Sequence, residues 1–108
     1  MSNLYIITGP AGVGKSTISR RIAESKNKSA LIEGDEIYHQ VVGGYVQAWK
    51  EGNHLDTFWK ICLSSIETYL EDGYDVIFNY IVSPENVELI KNKLKNHTIK
   101  FVVLVVDE

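Results

Sequence analysis

The run Gly9-Pro10-Ala11-Gly12-Val13-Gly14-Lys15-Ser16 constrains this chain more than any other feature of its sequence. It fits the spacing G-x-x-x-x-G-K-[ST] in full. Glycines at 9, 12 and 14 let the backbone take turns that a side chain would block. The N–H groups of such a loop converge into a nest for anions, and the helix N-terminus beyond it adds partial positive charge. The motif needs a strand before it and a helix after it, and both are legible. Leu4–Thr8 is a short apolar run with β-branched and aromatic residues, closed by Gly9-Pro10, and is predicted to be a buried strand. Lys15–Lys26 reads as an amphipathic helix, with Ile18, Ile22 and Ala23 on one face and Arg20, Arg21 and Glu24 mostly on the other. Residues Gly9–Thr17 are therefore expected to hold the phosphates of a nucleoside triphosphate. Lys15 would reach the β- and γ-phosphates, Ser16 would offer its hydroxyl to Mg²⁺, and Thr17 would lie beside the α-phosphate.

The remainder alternates in the same way. Ala30–Glu33 is a second short strand, closed by Gly34-Asp35, and Glu36–Val42 is a short helix stopped by Gly43-Gly44. Asn53 opens a longer helix, with Asp56 in its first turn and Leu55, Phe58, Cys62, Ile66 and Tyr69 at spacings of three and four, up to a stop at Gly73. Tyr74–Val82 is nearly all apolar, as a strand covered on both faces should be. Ser83-Pro84-Glu85 is a helix start, with Val87, Ile90 and Leu94 as the buried stripe, and Ile99–Val106 is a fourth strand. Strands alternating with helices predict an α/β fold, a parallel sheet with right-handed crossovers, in a single domain over residues 1–108.

Charge and cysteine usage narrow the classes. The net charge is −3, with lysines and acids spread along the chain, so no basic face for nucleic acid is expected. Cys62 stands alone, which leaves no disulfide framework and no cysteine metal site, and it reads as a core residue. No apolar run approaches the ~18 residues of a spanning helix, and the N-terminus runs directly into a strand without a signal-peptide pattern, so a cytoplasmic chain without a membrane partner is expected. His39, His54 and His97 lack metal-ligand spacing.

The loop Gly9–Thr17, followed at the end of the second strand by Glu33-Gly34-Asp35, resembles the small P-loop kinases, the gluconate, shikimate, adenylylsulfate and nucleoside monophosphate kinases and chloramphenicol phosphotransferase among them. Within that group Ile32–Asp35 is most similar to the gluconate and adenylylsulfate branch. The resemblance implies a sheet in the order 2-3-1-4-5 with a lid after strand four, ATP and Mg²⁺ as cofactors, and transfer of the γ-phosphate to a hydroxyl of a small molecule such as a sugar acid, nucleoside or antibiotic. It also implies that Asp35 touches the acceptor.

Asp35 at a strand's carboxyl end is well placed to accept the proton of an attacking hydroxyl or to hold a metal-bound water; capping the Glu36–Val42 helix is the alternative. Lys15 and Asp35 are thus the candidate catalytic residues. Asp35, His39 and Asn79 are the candidate substrate residues, with Tyr45 and Trp49 as covers for a substrate or packing groups. Asn79 stands where P-loop proteins usually carry an Asp near Mg²⁺, and an amide there can only hydrogen-bond. Glu33 and Glu36 are expected to face solvent. Asp107 follows an apolar strand, where it would cap a helix outside these 108 residues. The only arginines are Arg20 and Arg21, and strand four would be an open apolar edge. A fragment of a longer kinase domain is one explanation and dimerisation through that edge is the other. A nucleotide-binding module without turnover is the rival function.

Overall fold

The computed structural model describes residues 2–10 and 14–104. Its strands are β1 (Asn3–Thr8), β2 (Ser29–Glu33), β3 (Asp75–Asn79) and β4 (Thr98–Val103), and its helices are α1 (Lys15–Glu24), α2 (Gly34–Tyr38), α3 (His54–Glu71) and α4 (Pro84–Lys93). The strands form one sheet in the order β2-β3-β1-β4, and every pairing is parallel. The α/β class and the order 2-3-1-4 are as the sequence predicted.

Parallel neighbours need crossovers, and helices on both faces of the sheet supply them. That is why the central strands are apolar at successive positions. Leu4, Ile6, Ile7, Val76, Ile77 and Phe78 are all fully buried. Alternation then divides them between two cores. Leu4, Ile6, Val76 and Phe78 pack with Phe58, Trp59, Cys62 and Ile66 of α3 and Ile90 of α4. Ile7 and Ile77 pack on the opposite face with Ala23 of α1. Burial pushes the Cys62 thiol up to about 12, so it is an inert core group. Among the described residues no helix is long and apolar enough to cross a membrane.

Several boundaries differ from expectation. The buried face of α3 runs through Phe58, Trp59, Cys62, Leu63, Ile66 and Leu70. Tyr69, expected on that stripe, is 39% exposed and packs edge-on against Tyr74. The step from Ile66 to Leu70 follows the four-residue spacing, which carries Tyr69 off the buried face. Asn53 occupies the N-cap of α3 but makes no side-chain capping bond. By contrast, Ser83 caps α4 in a full capping box: its Oγ accepts from the Asn86 N–H (3.2 Å) and the Asn86 Oδ1 accepts from the Ser83 N–H (3.0 Å). β3 stops at Asn79, and the chain beyond is held back on β1 by the Val82 N–H donating to Thr8 Oγ1 (3.2 Å).

The largest displacement is in α2. It starts at Gly34 and ends at Tyr38, two residues early at one end and four at the other. Asp35 therefore sits inside the first turn, and the capping alternative for it is wrong; the N-cap is Glu33. Gly34 permits this start. A Cβ there would lie 2.5–2.9 Å from the ring and Cβ of Tyr80, so only glycine lets the helix begin against that ring. The Tyr38 hydroxyl donates to the Val46 carbonyl and ties the following segment back over the helix. Val105–Glu108, including Asp107, lie outside the described residues.

Candidate active site

Strand register brings the site together. Glu33 pairs across from Asn79, and Asn79 across from Ile7, so the ends of β2 and β3 flank the exit of β1 into the glycine-rich loop. Side-chain alternation puts Glu33 and Asn79 on the same face as Ile7 and Ile77, the face that α1 covers. The first turn of α1 carries Ser16. The contacts follow: the Asn79 Nδ2 donates to Glu33 Oε2 (2.8 Å) and to Ser16 Oγ (3.3 Å). Asn79 is only 5% exposed and bridges carboxylate and hydroxyl.

Glu33 corrects the sequence reading, which sent it to solvent. It is half-buried and belongs to this cluster. Burial pushes its carboxyl above the usual carboxylate range; the Asn79 hydrogen bond opposes that rise, and the charge of Glu36 adds to it. Residue 79 supplies no negative charge; the carboxylate is on Glu33 of the neighbouring strand, two hydrogen bonds from Ser16 through Asn79.

Around the loop, the Lys15 Nζ donates to the Gly9 carbonyl (2.7 Å), so the amine already lies back along the loop. Gly9 has φ 148°, and a Cβ there would lie 2.5 Å from the Leu104 carbonyl oxygen, which reserves the position for glycine. Gly14 is the N-cap of α1. Pro10, Ser16 and Thr17 are exposed, while Ala11, Gly12 and Val13 lie outside the described residues. No group of three or more His, Cys, Asp or Glu side chains able to hold a metal occurs among the described residues. The hydroxyl, amide and carboxylate of Ser16, Asn79 and Glu33 do fit Mg²⁺, which keeps several waters and is usually held by few protein oxygens plus phosphates.

Asp35 is exposed at the start of α2, beyond the carboxyl end of β2. The ring of His39 turns back on this helix, with Nδ1 2.7 Å from the Asp35 carbonyl oxygen, and stacks on Tyr45 at 5.8 Å. Beside them α2, α3 and the segment between them enclose a cavity of about 220 Å³. Tyr45 lines it; His39 does not, and Trp49 stands 82% exposed away from it. The cavity walls include Tyr38 and Phe58, whose rings meet edge-on at 5.5 Å. Sequence reasoning missed both Glu33 and this cavity. For Glu33 a signal existed: Leu31 and Glu33 share strand parity, so both had to face one side of the sheet. For the cavity there was none, because it is made by packing between helices.

The sheet order, the loop between β1 and α1, and the polar cluster at the carboxyl edge define a class: the fold is that of the P-loop kinases. Solved structures with this fold include a chain of the Pnkp1/Rnl/Hen1 complex, matched at a TM-score of 0.81 and 18% identity over 98% of this chain and 36% of that one. An APS kinase from Mycobacterium tuberculosis matches at 0.73 and 16% identity over 97% of this chain and 76% of that one. A gluconokinase from Sinorhizobium meliloti matches at 0.60 and 19%, over 94% and 56%. This chain thus spans about a third of the length of the first of these. No protein-family model matches the sequence, and no curated protein does.

Proposed function

We propose that this chain binds ATP with Mg²⁺ and belongs to the machinery that transfers the γ-phosphate to a hydroxyl of a small molecule. The observation that carries the reading is the bridge Ser16–Asn79–Glu33 beside the glycine-rich loop, which gathers the donors a metal–nucleotide complex needs at the carboxyl edge of a parallel sheet. The loop of Gly9–Thr17, including Ala11, Gly12 and Val13, would cradle the phosphates with its N–H groups. Lys15 would exchange its bond to the Gly9 carbonyl for phosphate oxygens, drawing off charge as it develops on the transferred group. Ser16 would hold the metal directly, with Asn79 and Glu33 fixing waters around it. Bound Mg²⁺ supplies neutralisation of charge on the β- and γ-phosphates.

Asp35 would orient the acceptor and take its proton. A bond forms from the acceptor oxygen to the γ-phosphorus, the bond from that phosphorus to the β-bridging oxygen breaks, and ADP leaves. His39 would support the turn that carries Asp35. An ATP-consumption screen over hydroxyl acceptors tests the reading, with a short RNA bearing a 5′-hydroxyl included because one neighbour comes from an RNA repair complex. Acceptor-dependent ADP release supports a kinase. Tight Mg²⁺–ATP binding with no release for any acceptor supports a nucleotide-binding module instead.

A further inference from the structure

The cavity beside Asp35 carries information on which hydroxyl compound would be accepted. Its lining comes from Ile37, Tyr38 and Val41 at one side, Tyr45 and Val46 at another, and Phe58 and Ile61 on α3, with His54 and Thr57 of α3 as polar members and no lysine, arginine, aspartate or glutamate among the described lining residues. The His54 Nε2 is buried without a hydrogen-bond partner among the described residues, so it is free to meet one polar atom of an occupant. The Tyr38 hydroxyl, a polar group in this wall, is already committed to the Val46 carbonyl. A carboxylate or sulfate entering here would exchange its hydration for no more than the His54 ring and the Thr57 hydroxyl, with no lysine or arginine in the described lining. An aromatic ring would meet edges and faces of Tyr38, Tyr45 and Phe58, whose own rings pack edge-on at 5.5–5.7 Å.

The cavity is also joined to the proposed reacting group. Asp35 and Tyr38 are three residues apart on α2 and so share a face. Phe58 stacks against Tyr80 at 4.9 Å, and the Tyr80 ring lies directly under Gly34, the residue before Asp35. An occupant of the cavity thus lies against Ile37 and Tyr38, which follow Asp35 on α2. At about 220 Å³ the cavity is smaller than the roughly 300–1,000 Å³ of drug-sized sites, which suits one ring of a larger molecule.

Resting on the kinase reading, we infer that the acceptor is an uncharged hydroxyl compound that buries one aromatic ring in this cavity, and not a sugar acid or other anion. The ring is held between α2 and α3, and the hydroxyl reaches out toward Asp35.

The test is direct binding to the protein in the presence of saturating Mg²⁺–ATP, with thymidine and phenyl β-D-glucoside as uncharged aromatic probes and D-gluconate and shikimate as anionic ones. The aromatic pair is expected to bind at least about tenfold tighter, equivalent to roughly 1.4 kcal/mol. Ile61→Lys and Val41→Lys each place a cation at a wall position that is 43% and 49% exposed respectively, where the fold tolerates it. Each is expected to weaken thymidine about tenfold and to leave ATP affinity unchanged. Equal or tighter binding of gluconate by the unmodified protein overturns the inference, as does thymidine binding that neither variant changes, or no measurable binding of either aromatic probe. Failure to bind ATP is a separate result and sinks the kinase reading itself.

Discussion

The two sides of the sheet's carboxyl edge are built on opposite principles. On the α1 side, polar groups crowd together: Ser16, Asn79 and Glu33 are linked by hydrogen bonds of 3.3 and 2.8 Å. On the α3 side, the cavity between α2 and α3 is walled mostly by aromatic rings and branched aliphatics, with His54 and Thr57 as its polar side chains beside the Tyr hydroxyls. Strand parity makes the division, since Asn79 points to one side and its neighbours in β3 and the following turn, Phe78 and Tyr80, join the aromatic core of the other. A phosphotransferase needs both environments a few residues apart: hard donors and charge for the triphosphate, and selective, water-poor packing for the acceptor. Asp35 stands at the junction, which makes it the sharpest probe of the contrast.

Asp35→Asn is expected to have the largest effect. In a form of the protein that turns over, the rate should fall by about 10²–10⁴, the usual contribution of general base catalysis, while ATP affinity stays nearly constant. Because Asp35 lies within the first turn of α2 and not at its cap, the melting temperature should change little. A variant that turns over like the wild type would detach Asp35 from the chemistry. Lys15→Ala comes next and should act on one side of the division only. Loss of a charge-assisted contact is worth roughly 1.5–3 kcal/mol, so ATP should weaken by about ten- to a hundredfold. AMP should weaken far less, and thymidine in the cavity not at all. Equal losses for ATP and AMP would contradict the assignment of Lys15 to the β- and γ-phosphates.

The two sides also differ in how far the sequence discloses them. The glycine-rich loop is local: Gly9, Gly14, Lys15 and Ser16 lie in one run whose spacing is dictated by backbone geometry, so the motif reads directly from the chain. The buried parallel strands were legible because apolar runs such as Tyr74–Val82 suit strands covered on both faces, whereas the strand order came only from the resemblance to the small P-loop kinases. Glu33 was misjudged because its environment depends on pairing with Asn79, 46 positions away, and a carboxylate at the end of a short strand otherwise looks solvated. The α2 boundaries slipped for a similar reason, since the helix start is set by the Tyr80 ring under Gly34 rather than by any nearby capping residue. The cavity was invisible because Tyr38, Phe58 and Ile61 are ordinary core-forming residue types, and only their packing leaves space.

Gly34→Ala joins the two sides and should disturb both. The added methyl meets the Tyr80 Cβ, Cγ and Cδ1 at 2.5–2.9 Å, atoms near the backbone end of the side chain that cannot swing away freely. Overpacking of this kind costs about 1–3 kcal/mol, readable as a lowered denaturation midpoint. Tyr80 packs on Phe58 and Trp59, so the strain should pass into the cavity wall and weaken thymidine as well. Unchanged stability would mean that the close approach of α2 to the aromatic core is not a constraint.

The smallest effect, and the one that isolates the polar side, is the pH dependence of Glu33→Gln. Burial raises the Glu33 carboxyl above its ordinary range, so the folded protein binds that proton more tightly than the unfolded chain does. The resulting stabilisation is complete below the unfolded value of about 4.3 and is lost as pH rises through the folded value. At low pH the two proteins both carry a neutral group at this position and should melt alike apart from local packing. Near neutrality the wild type bears an ionised, half-buried carboxylate and the variant does not, so the variant should gain melting temperature relative to the wild type as pH increases. Adding Mg²⁺ and ATP should reverse the ranking, because the charge that destabilises the empty site is the one that would steady metal-bound water beside Ser16. A melting difference that stays flat between pH 4 and about 7 would show that Glu33 titrates as a solvated group. A gain in stability that survives saturating Mg²⁺–ATP would leave the carboxylate without a role in the metal–nucleotide site.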